Sequence, residues 1–295
     1  MSERGGYPYR SALVTGASDG LGEHFATELA RRGADLVLVA RRADRLAEVA
    51  ARLRADHGIA VEVLAADLTE PDGLDRVRDR LADPDRPVDL LVNNAGEFGG
   101  ITPLGNRDPV ELDRSVRLNT LAVVLLTRAA IPGMVRRGHG GVLNLSSVAG
   151  FLAAPGGAAY CAGKAFVTSF SRTVALELTG LGVHVTALCP GSVRIGPMTG
   201  ARTRLGPVLE PGPVVREGLA AVAAGRVVQI PGREYRARVW LHRHAPAPVV
   251  RWIFQRGWGH RNAEAVRSRT GAAGPPAGGP AGPPATTQEY EREVR

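Results

Sequence analysis

The chain has 295 residues, of which 44% are hydrophobic and 22% charged, so it can bury the core of one large domain or two small ones. The spacing of its two cysteines, Cys161 and Cys189, favours neither a disulfide framework nor a metal module, and we predict no metal site. The N-terminal MSERGGYPYR has no apolar signal region, and the best apolar run, LAVVLLTRAAI, contains Arg128 and is too short to span a bilayer. We therefore expect a cytoplasmic protein.

The net charge of +8 is concentrated near the C-terminal end of the chain. Residues 226–269 contain ten arginines against Glu234 and Glu264, whereas the remaining residues are balanced in charge. The charge therefore describes one segment and not the core. Nucleic-acid binding is not predicted, because no nucleic-acid-binding fold accompanies the basic residues.

Apolar segments of two kinds alternate along the chain. Short, continuously apolar segments predict buried strands, and longer segments with apolar residues three and four apart predict helices. The predicted strands are SALVTGAS, which leads into a glycine turn, DLVLVA, AVEVLAADL, VDLLVNNAG, which runs into a turn, GGVLNLSS and VHVTALCPG. The predicted helices are GEHFATELARRGA, RLAEVAARLRADHG, LDRVRDRLA, PVELDRSVRLNTLAVVLLTRAAIPGMVRRG and AAYCAGKAFVTSFSRTVALELTGLG. This order indicates the α/β class, with a Rossmann-type doubly wound parallel sheet flanked by helices and a ligand at the carboxyl ends of its strands.

The alternation ends near Ile230, and the chain is divided there. Residues 1–231 are predicted to form a single Rossmann-fold domain. Residues 232–269 are basic and aromatic, with two short helices separated at APAP, and they could be a membrane-surface helix, a substrate lid, an oligomer contact or helices packed on the domain. Residues 270–295 are rich in Pro, Gly and Ala and are predicted to be disordered.

A glycine-rich turn follows the first predicted strand. TGASDGLG contains Gly16, Gly20 and Gly22 between that strand and the first helix, where a backbone without side chains can approach a pyrophosphate at a helix N-terminus. The spacing Gly-x3-Gly-x-Gly differs from the usual Gly-x-Gly-x-x-Gly of dinucleotide folds. The strand–turn–helix context favours a dinucleotide site over a glycine turn without a ligand.

The end of the second strand indicates which dinucleotide binds. An acidic residue there would bind the ribose 2′-hydroxyl of NAD, but VLVARR places Arg41 and Arg42 at this point. A guanidinium group suits a 2′-phosphate, so the sequence favours NADP(H) over NAD(H). Two solvent-facing arginines in an arginine-rich protein remain the alternative.

Lys164 is the only lysine in the chain, and it follows Tyr160 by four residues on a predicted helix. The two side chains therefore share a face of the helix. A nearby cation stabilises a phenolate and lowers a tyrosine pKa from its usual value of about 10. A compact ammonium can also hold ribose hydroxyls, which a planar guanidinium does less well. The pair is predicted to be an acid–base site, with chance placement of one lysine as the alternative.

The motifs together resemble the short-chain dehydrogenases/reductases. They are TGASDGLG, Asp67 in AADL, NNAG at residues 93–96, Asn119 in RLNTLAVV, NLSSVAG, YCAGK at residues 160–164 and Pro190-Gly191. They occur in the order and at the spacing of that family across about residues 10–195. The basic C-terminal segment loosely resembles that of members related to ketoacyl and hydroxysteroid reductases.

The resemblance implies a catalytic role for four residues. Tyr160 would donate a proton to a substrate carbonyl, and Ser147 would hydrogen-bond the carbonyl oxygen, with Ser146 the weaker candidate. Lys164 would lower the pKa of Tyr160 and bind the nicotinamide ribose. Asn119 would hold a water molecule that links Lys164 to solvent.

The resemblance also implies a set of cofactor contacts, with Asp67 and Leu68 bordering the adenine. The implied contacts are Gly16, Ser18, Asp19, Gly20, Leu21, Gly22, Arg41, Arg42, Asp67, Leu68, Asn93, Ala95, Gly96, Tyr160, Lys164, Pro190, Gly191 and Val193. Two positions depart from the family pattern. Asp19 replaces a basic residue found in some NADPH-dependent members, and Ile195 replaces a threonine that often contacts the nicotinamide carboxamide.

The substrate is predicted to be an apolar carbonyl compound or alcohol, because the segment after Ser147 is apolar. Residues expected near it are Ser147, Glu97, Phe98 and Phe151. The leading hypothesis is an NADP(H)-dependent carbonyl reductase. The alternatives are a 3-oxoacyl thioester reductase, a non-catalytic scaffold that keeps the fold, and a peripheral membrane protein that uses residues 232–269. A homodimer or homotetramer is expected from the family.

Overall fold

The computed structural model describes residues 6–152, 154, 156–196, 202–203 and 206–244. The predicted tail at residues 270–295, and the predicted second helix of the basic segment, lie outside the described residues.

A seven-stranded parallel sheet forms the centre of the molecule, as the alternation of segments predicts. Its strands are β1 (Ser11–Thr15), β2 (Asp35–Ala40), β3 (Val61–Ala65), β4 (Leu90–Asn93), β5 (Gly140–Leu145), β6 (Val183–Leu188) and β9 (Val228–Gln229). They lie in the order β3-β2-β1-β4-β5-β6-β9. Six of them were predicted, whereas β9 has only two residues and is too short to produce a recognisable apolar run. A separate antiparallel pair joins β7 (Arg202–Thr203) to β8 (Gly206–Pro207).

Helices cover both faces of the sheet. They are α1 (Gly20–Arg31), α2 (Ala43–His57), α3 (Pro71–Ala82), α4 (Pro109–Val116), α5 (Ala122–Arg137), α6 (Ala158–Glu177), α7 (Pro211–Ala223) and α8 (Arg233–His244). One buried cluster contains Phe25 of α1, Leu46 of α2 and Leu219 of α7. The other contains Val77 of α3, Leu126 of α5 and Val174 of α6. The fold is therefore the predicted doubly wound α/β architecture.

The long helix predicted over residues 109–138 is interrupted once and ends at Arg137. A π-helical turn, Arg117–Leu121, joins α4 to α5. Single π turns inside α-helices occur often at functional sites. The whole run Pro109–Arg137 has a mean hydropathy of 1.6 over its best window, and in the described part of the chain it alone is long and apolar enough to cross a membrane. Core helices pass the same test, and Leu126 and Met134 of this run are completely buried against the sheet.

The strand order creates a crevice between β1 and β4. The chain continues from β1 to β2 and β3 on one side of the sheet, and then returns to place β4 on the other side of β1. In open parallel sheets ligands bind at the carboxyl ends of the strands where the order reverses in this way. The glycine turn follows β1 and NNAG follows β4, so both motifs lie at this crevice.

Helix α8, the described part of the basic segment, packs against the Rossmann domain. Tyr235 and Val239 of α8 are buried and form a third apolar cluster with Val148, which follows β5. Trp240 and Leu241 lie on the outer side and are 62% and 58% exposed.

Candidate active site

The conformation of the glycine turn depends on the absence of side chains at its glycines and on a hydrogen bond from Asn94. Gly16 and Gly20 have φ values of 67° and 55°, which favour glycine. A methyl group at Gly22 would overlap the carbonyl of Gly16, so helix α1 can approach the turn only with glycine there. The Asn94 Nδ2 donates to the Thr15 carbonyl at 2.9 Å and thereby fixes the turn to the end of β4.

The first cavity of the crevice lies beside β2 and is bordered by arginines. The predicted residues that line it are Gly16, Ser18, Arg41, Arg42, Asp67, Leu68, Ala95 and Gly96. The Arg42 Nη2 lies 3.2 Å from the Ser18 Oγ and 3.4 Å from the Asp19 carboxylate. Arg41 approaches Asp67 at 3.9 Å. Asp19, which replaces a basic residue of some family members, thus holds one of the two predicted arginines over the turn.

Arg114 of α4 also lines this cavity, and the sequence analysis did not identify it. Its Nη2 donates to the Asp67 Oδ2 at 2.9 Å. Burial raises the pKa of Asp67, but hydrogen bonds from Thr69 and the positive charges of Arg114 and Arg41 outweigh burial and hold it below its usual value. Nothing local marked Arg114 in the sequence, because its partner lies 47 residues earlier.

The second cavity contains the predicted catalytic residues. The predicted residues that line it are Gly16, Asp19, Gly20, Leu21, Ala95, Gly96, Glu97, Phe98, Ser147, Tyr160, Lys164, Pro190, Gly191 and Val193. Because Gly16, Ala95 and Gly96 line both cavities, the two form one continuous cleft across the carboxyl ends of the strands. Ile195 also lines the second cavity, and a methyl group at Gly20 would lie 2.9 Å from its side chain.

Tyr160 lies on the first turn of α6, which places its ring in this second cavity. Burial raises the pKa of Tyr160 above its usual value, while hydrogen bonding with Ser147 opposes that rise. The phenol is therefore protonated at neutral pH. The ring of Phe98 packs edge-on against Tyr160, with 5.1 Å between the ring centroids.

Lys164 lies one helical turn below Tyr160 and is buried, with 5% of its surface exposed. Its Nζ donates to the Leu145 carbonyl at 2.8 Å and lies 5.5 Å from the centre of the Tyr160 ring. Burial lowers the pKa of Lys164 to about 8. A methyl group at Gly96 would lie 3.4 Å from this Nζ, so the ammonium occupies a narrow slot between β5 and the NNAG segment.

Asn119 lies in the π-helical turn and is buried. Its Nδ2 donates to the Glu97 carbonyl at 2.9 Å, and its Oδ1 accepts from the Glu97 amide at 3.3 Å. Asn119 therefore holds the chain immediately after NNAG, and a methyl group at Gly96 would lie 2.8 Å from its Oδ1.

Both serines of NLSS border the cleft, but their hydroxyls differ in their partners. The Ser146 Oγ donates to the Lys164 carbonyl at 2.7 Å and lies 2.6 Å from the Thr168 hydroxyl, so it joins β5 to α6. The Ser147 Oγ has a longer bond of 3.4 Å to the Pro190 carbonyl. Ser147 has the hydroxyl that can turn to a ligand.

Four predicted residues lie outside the cleft lining, and Asn119 is one of them. Asn93 is buried in the core, where its Nδ2 donates to Thr127 and to Asn144 at 3.1 and 2.9 Å. Gly22 serves the packing of α1 on the turn. The ring of Phe151 packs against the apolar cluster around Tyr235, and the Arg172 guanidinium lies 5.8 Å from its centre.

Comparisons with known proteins agree with the fold. A family model described as short chain dehydrogenase matches residues 10–204. A short-chain dehydrogenase from Sphingobium yanoikuyae in complex with NADPH is 32% identical, with a TM-score of 0.70 and coverage of 92% of this chain and 98% of that one. The bulky-bulky ketone specific alcohol dehydrogenase from Comamonas testosteroni is 33% identical, with a TM-score of 0.69 and coverage of 81% and 96%.

Another relative matches this chain over a smaller part of its own length. Very-long-chain 3-oxoacyl-CoA reductase from Anas platyrhynchos is 36% identical over 184 residues, 61% of this chain and 58% of that protein. The chain thus spans less than two thirds of the length of this relative. Since the family model matches well over half of the chain and the sheet has the expected order, the protein belongs to the short-chain dehydrogenase/reductase family of oxidoreductases.

Proposed function

We propose that the protein is an NADP(H)-dependent oxidoreductase that reduces an apolar carbonyl compound to a secondary alcohol and catalyses the reverse reaction. The observation that carries this proposal is the convergence of Tyr160, Ser147 and Lys164 in one cavity that continues into an arginine-bordered cavity beside β2. Neither cavity alone would indicate the reaction.

The cleft fits a dinucleotide in its shape and its charge. The N-terminus of α1 faces it at Gly20, where free amide groups favour a pyrophosphate. Arg41 and Arg42 border the end that would take the adenosine, and their guanidinium groups suit a 2′-phosphate. The NADPH in the Sphingobium yanoikuyae relative supports this choice. When bound, the cofactor supplies or accepts the hydride.

The side chains of the second cavity would transfer the proton and stabilise the charges that develop during the reaction. Tyr160 is protonated at neutral pH because burial raises its pKa, so it can donate its proton to the oxygen of the substrate as that oxygen gains charge. Ser147 can donate a second hydrogen bond to the same oxygen. Lys164 places a positive charge below the phenol and favours the phenolate that proton transfer leaves behind.

The surroundings of Tyr160 support an apolar substrate. Phe98 is 48% exposed and Ile195 37% exposed, and both line the catalytic cavity. Phe98 and Tyr160 also line a third, smaller cavity, together with Leu104 and Leu112. The Comamonas testosteroni enzyme, which is described as specific for bulky-bulky ketones, supports a ketone with two large substituents as the substrate.

A 3-oxoacyl thioester is the second candidate substrate. It is favoured by the identity with the Anas platyrhynchos reductase, although that match covers only part of the relative. A long acyl chain would use the same apolar surface at Phe98.

The test is a substrate panel followed by the oxidation of NADPH. Bulky ketones and 3-oxoacyl thioesters are offered to the wild-type chain and to Tyr160→Phe. We expect turnover by the wild type and a loss of about a thousandfold in the variant, because general acid catalysis typically contributes that much. NADPH binding should be unchanged in the variant. Turnover that persists in Tyr160→Phe would contradict the catalytic assignment, and a wild type that binds NADPH without any turnover would favour the non-catalytic scaffold.

We also propose a cytoplasmic protein that self-associates and contacts membrane surfaces through residues 232–269. On α6, Phe166 and Leu176 are 45% and 74% exposed, which supports contact with a second copy. On α8, Trp240 and Leu241 are exposed among arginines, which supports contact with an anionic lipid surface. The dimer would be detected by the molar mass in light scattering.

A further inference from the structure

The basic C-terminal segment reaches the active site through one buried side chain. Tyr235 of α8 has 1% of its surface exposed, and its ring packs against the backbone of Gly191. A methyl group at Gly191 would overlap the Tyr235 ring, and one at Gly206 would lie 3.0 Å from it. Gly191 lies on the wall of the catalytic cavity, so the ring of Tyr235 lies directly behind that wall.

The hydroxyl of Tyr235 joins two backbone segments. It accepts a hydrogen bond from the Ser192 amide at 3.0 Å and donates one to the Pro207 carbonyl at 2.6 Å. The Ser192 amide and the Pro207 carbonyl thereby have hydrogen-bond partners within the protein, as the polar groups of a backbone shielded from water require. The phenol thus ties the chain after Pro190 to strand β8.

The same wall is connected to a catalytic residue. The Pro190 carbonyl accepts from the Val148 amide at 3.0 Å and from the Ser147 hydroxyl at 3.4 Å. Val148 itself belongs to the apolar cluster of Tyr235. Movement of the Tyr235 ring would therefore shift both the wall and the segment that contains Ser147.

We propose that Tyr235 is a positioning residue for the nicotinamide half of the cleft. It supports the backbone of residues 190–193 on the side away from the cavity. This support lies close in the chain to Ile195, which lacks the hydroxyl that family members often have at that position. This inference rests on the proposed function, because it requires that the second cavity takes the nicotinamide. It also assigns a role to the first turns of the basic segment, which the reaction itself does not require.

The test compares two tyrosine-to-phenylalanine substitutions. Tyr235→Phe keeps the ring but removes the bridging hydroxyl. The matched control is Tyr9→Phe, because Tyr9 is also buried, at 3% exposure, and its hydroxyl donates to the Val222 carbonyl at the opposite end of the sheet. Each variant is titrated with NADPH, followed by the fluorescence of the nicotinamide, and with 2′,5′-ADP, which probes the adenosine half alone.

We expect Tyr235→Phe to weaken NADPH binding by about fivefold to tenfold, since one net hydrogen bond corresponds to roughly that factor. Its affinity for 2′,5′-ADP should equal that of the wild type, which a general loss of structure would not allow. Tyr9→Phe should change neither affinity.

Three results would overturn the inference and leave the proposed function intact. They are an unchanged affinity of Tyr235→Phe for NADPH, a parallel loss of affinity for 2′,5′-ADP, or an equal effect of Tyr9→Phe. A wild-type chain that binds 2′,5′-ADP but not NADPH would overturn both. A wild-type chain that binds neither would overturn the proposed cofactor itself.

Discussion

The surroundings of Lys164 explain why one lysine remains in a chain whose other basic side chains of this length are all arginine. Its ammonium fills a slot in which the Leu145 carbonyl lies 2.8 Å away, and a methyl group at Gly96 would lie 3.4 Å from it. A guanidinium is larger and planar, and its five donors would require partners that this slot does not offer. The requirement is therefore one of size and hydrogen bonding as well as of charge.

The burial of Lys164 predicts a cost in stability that depends on pH. Its pKa is about 8 in the folded protein against a usual value of 10.5, so the folded state binds this proton less tightly than the unfolded state does. The wild type should therefore gain stability as the pH rises from about 8 to about 10.5, and the penalty below that window is on the order of 3 kcal/mol.

Lys164→Met removes this titration and should raise the free energy of unfolding at pH 7, and it should abolish the proposed reductase activity. The measurement is urea denaturation of both proteins at several values of pH. The difference between them should be largest below pH 8 and should shrink as the pH rises. A difference that is independent of pH would show that Lys164 titrates normally.

At the scale of the elements, the main departure from the sequence prediction lies in the helix of residues 109–137. Its periodicity predicts one continuous helix, but Arg117–Leu121 form a π-helical turn. One additional residue in a turn does not disturb an apolar pattern enough to be recognised. The turn contains Asn119, whose side chain holds Glu97 at both backbone groups.

The end of β2 gives a prediction about cofactor choice. The double substitution Arg41→Ala and Arg42→Ala should weaken NADPH binding by about tenfold or more and NADH binding by less than about threefold, because only NADPH has the 2′-phosphate. The affinities are measured by titration of the purified variants.

Arg114→Ala is the matched control for this experiment. Arg114 lines the same cavity but pairs with Asp67, so we expect its loss to weaken both cofactors equally. An equal loss of NADPH and NADH in the double variant would contradict the role of Arg41 and Arg42.

At the scale of the whole molecule, helix α8 of the basic segment has a buried side and an exposed side. Tyr235 and Val239 face the core, and Trp240 and Leu241 face outward. A truncation before α8 would remove Tyr235 from behind Gly191 and would disturb the active site. Surface substitutions are therefore the appropriate probe of membrane contact.

We expect the full chain to sediment with vesicles that contain phosphatidylglycerol and not with vesicles of phosphatidylcholine alone. Changing Trp240 and Leu241 together to serine should reduce this binding by about tenfold, because both side chains would enter the interfacial region. Leu181→Ser is the control, since Leu181 is 43% exposed and lies between α6 and β6, outside the basic segment. Binding that is unaffected by the α8 substitutions, or equally reduced by the control, would contradict a lipid-facing role for α8.

The sequence by itself determined the class of the fold and most of the cleft. Continuous apolar strands alternating with amphipathic helices permit few arrangements other than a parallel sheet, and its carboxyl ends place the glycine turn, NNAG and Tyr160 on one side. Local spacing was also sufficient to predict that Tyr160 and Lys164 lie together, because residues four apart share a helix face.

Only the tertiary structure decided the contacts between distant segments. The pairing of Arg114 with Asp67, the position of Phe151 outside the cleft lining and the approach of Tyr235 to Gly191 join residues that are far apart in the chain or that point in directions no pattern specifies. Such contacts depend on how helices and loops pack on the sheet, whereas periodicity reports only which face of an element is buried.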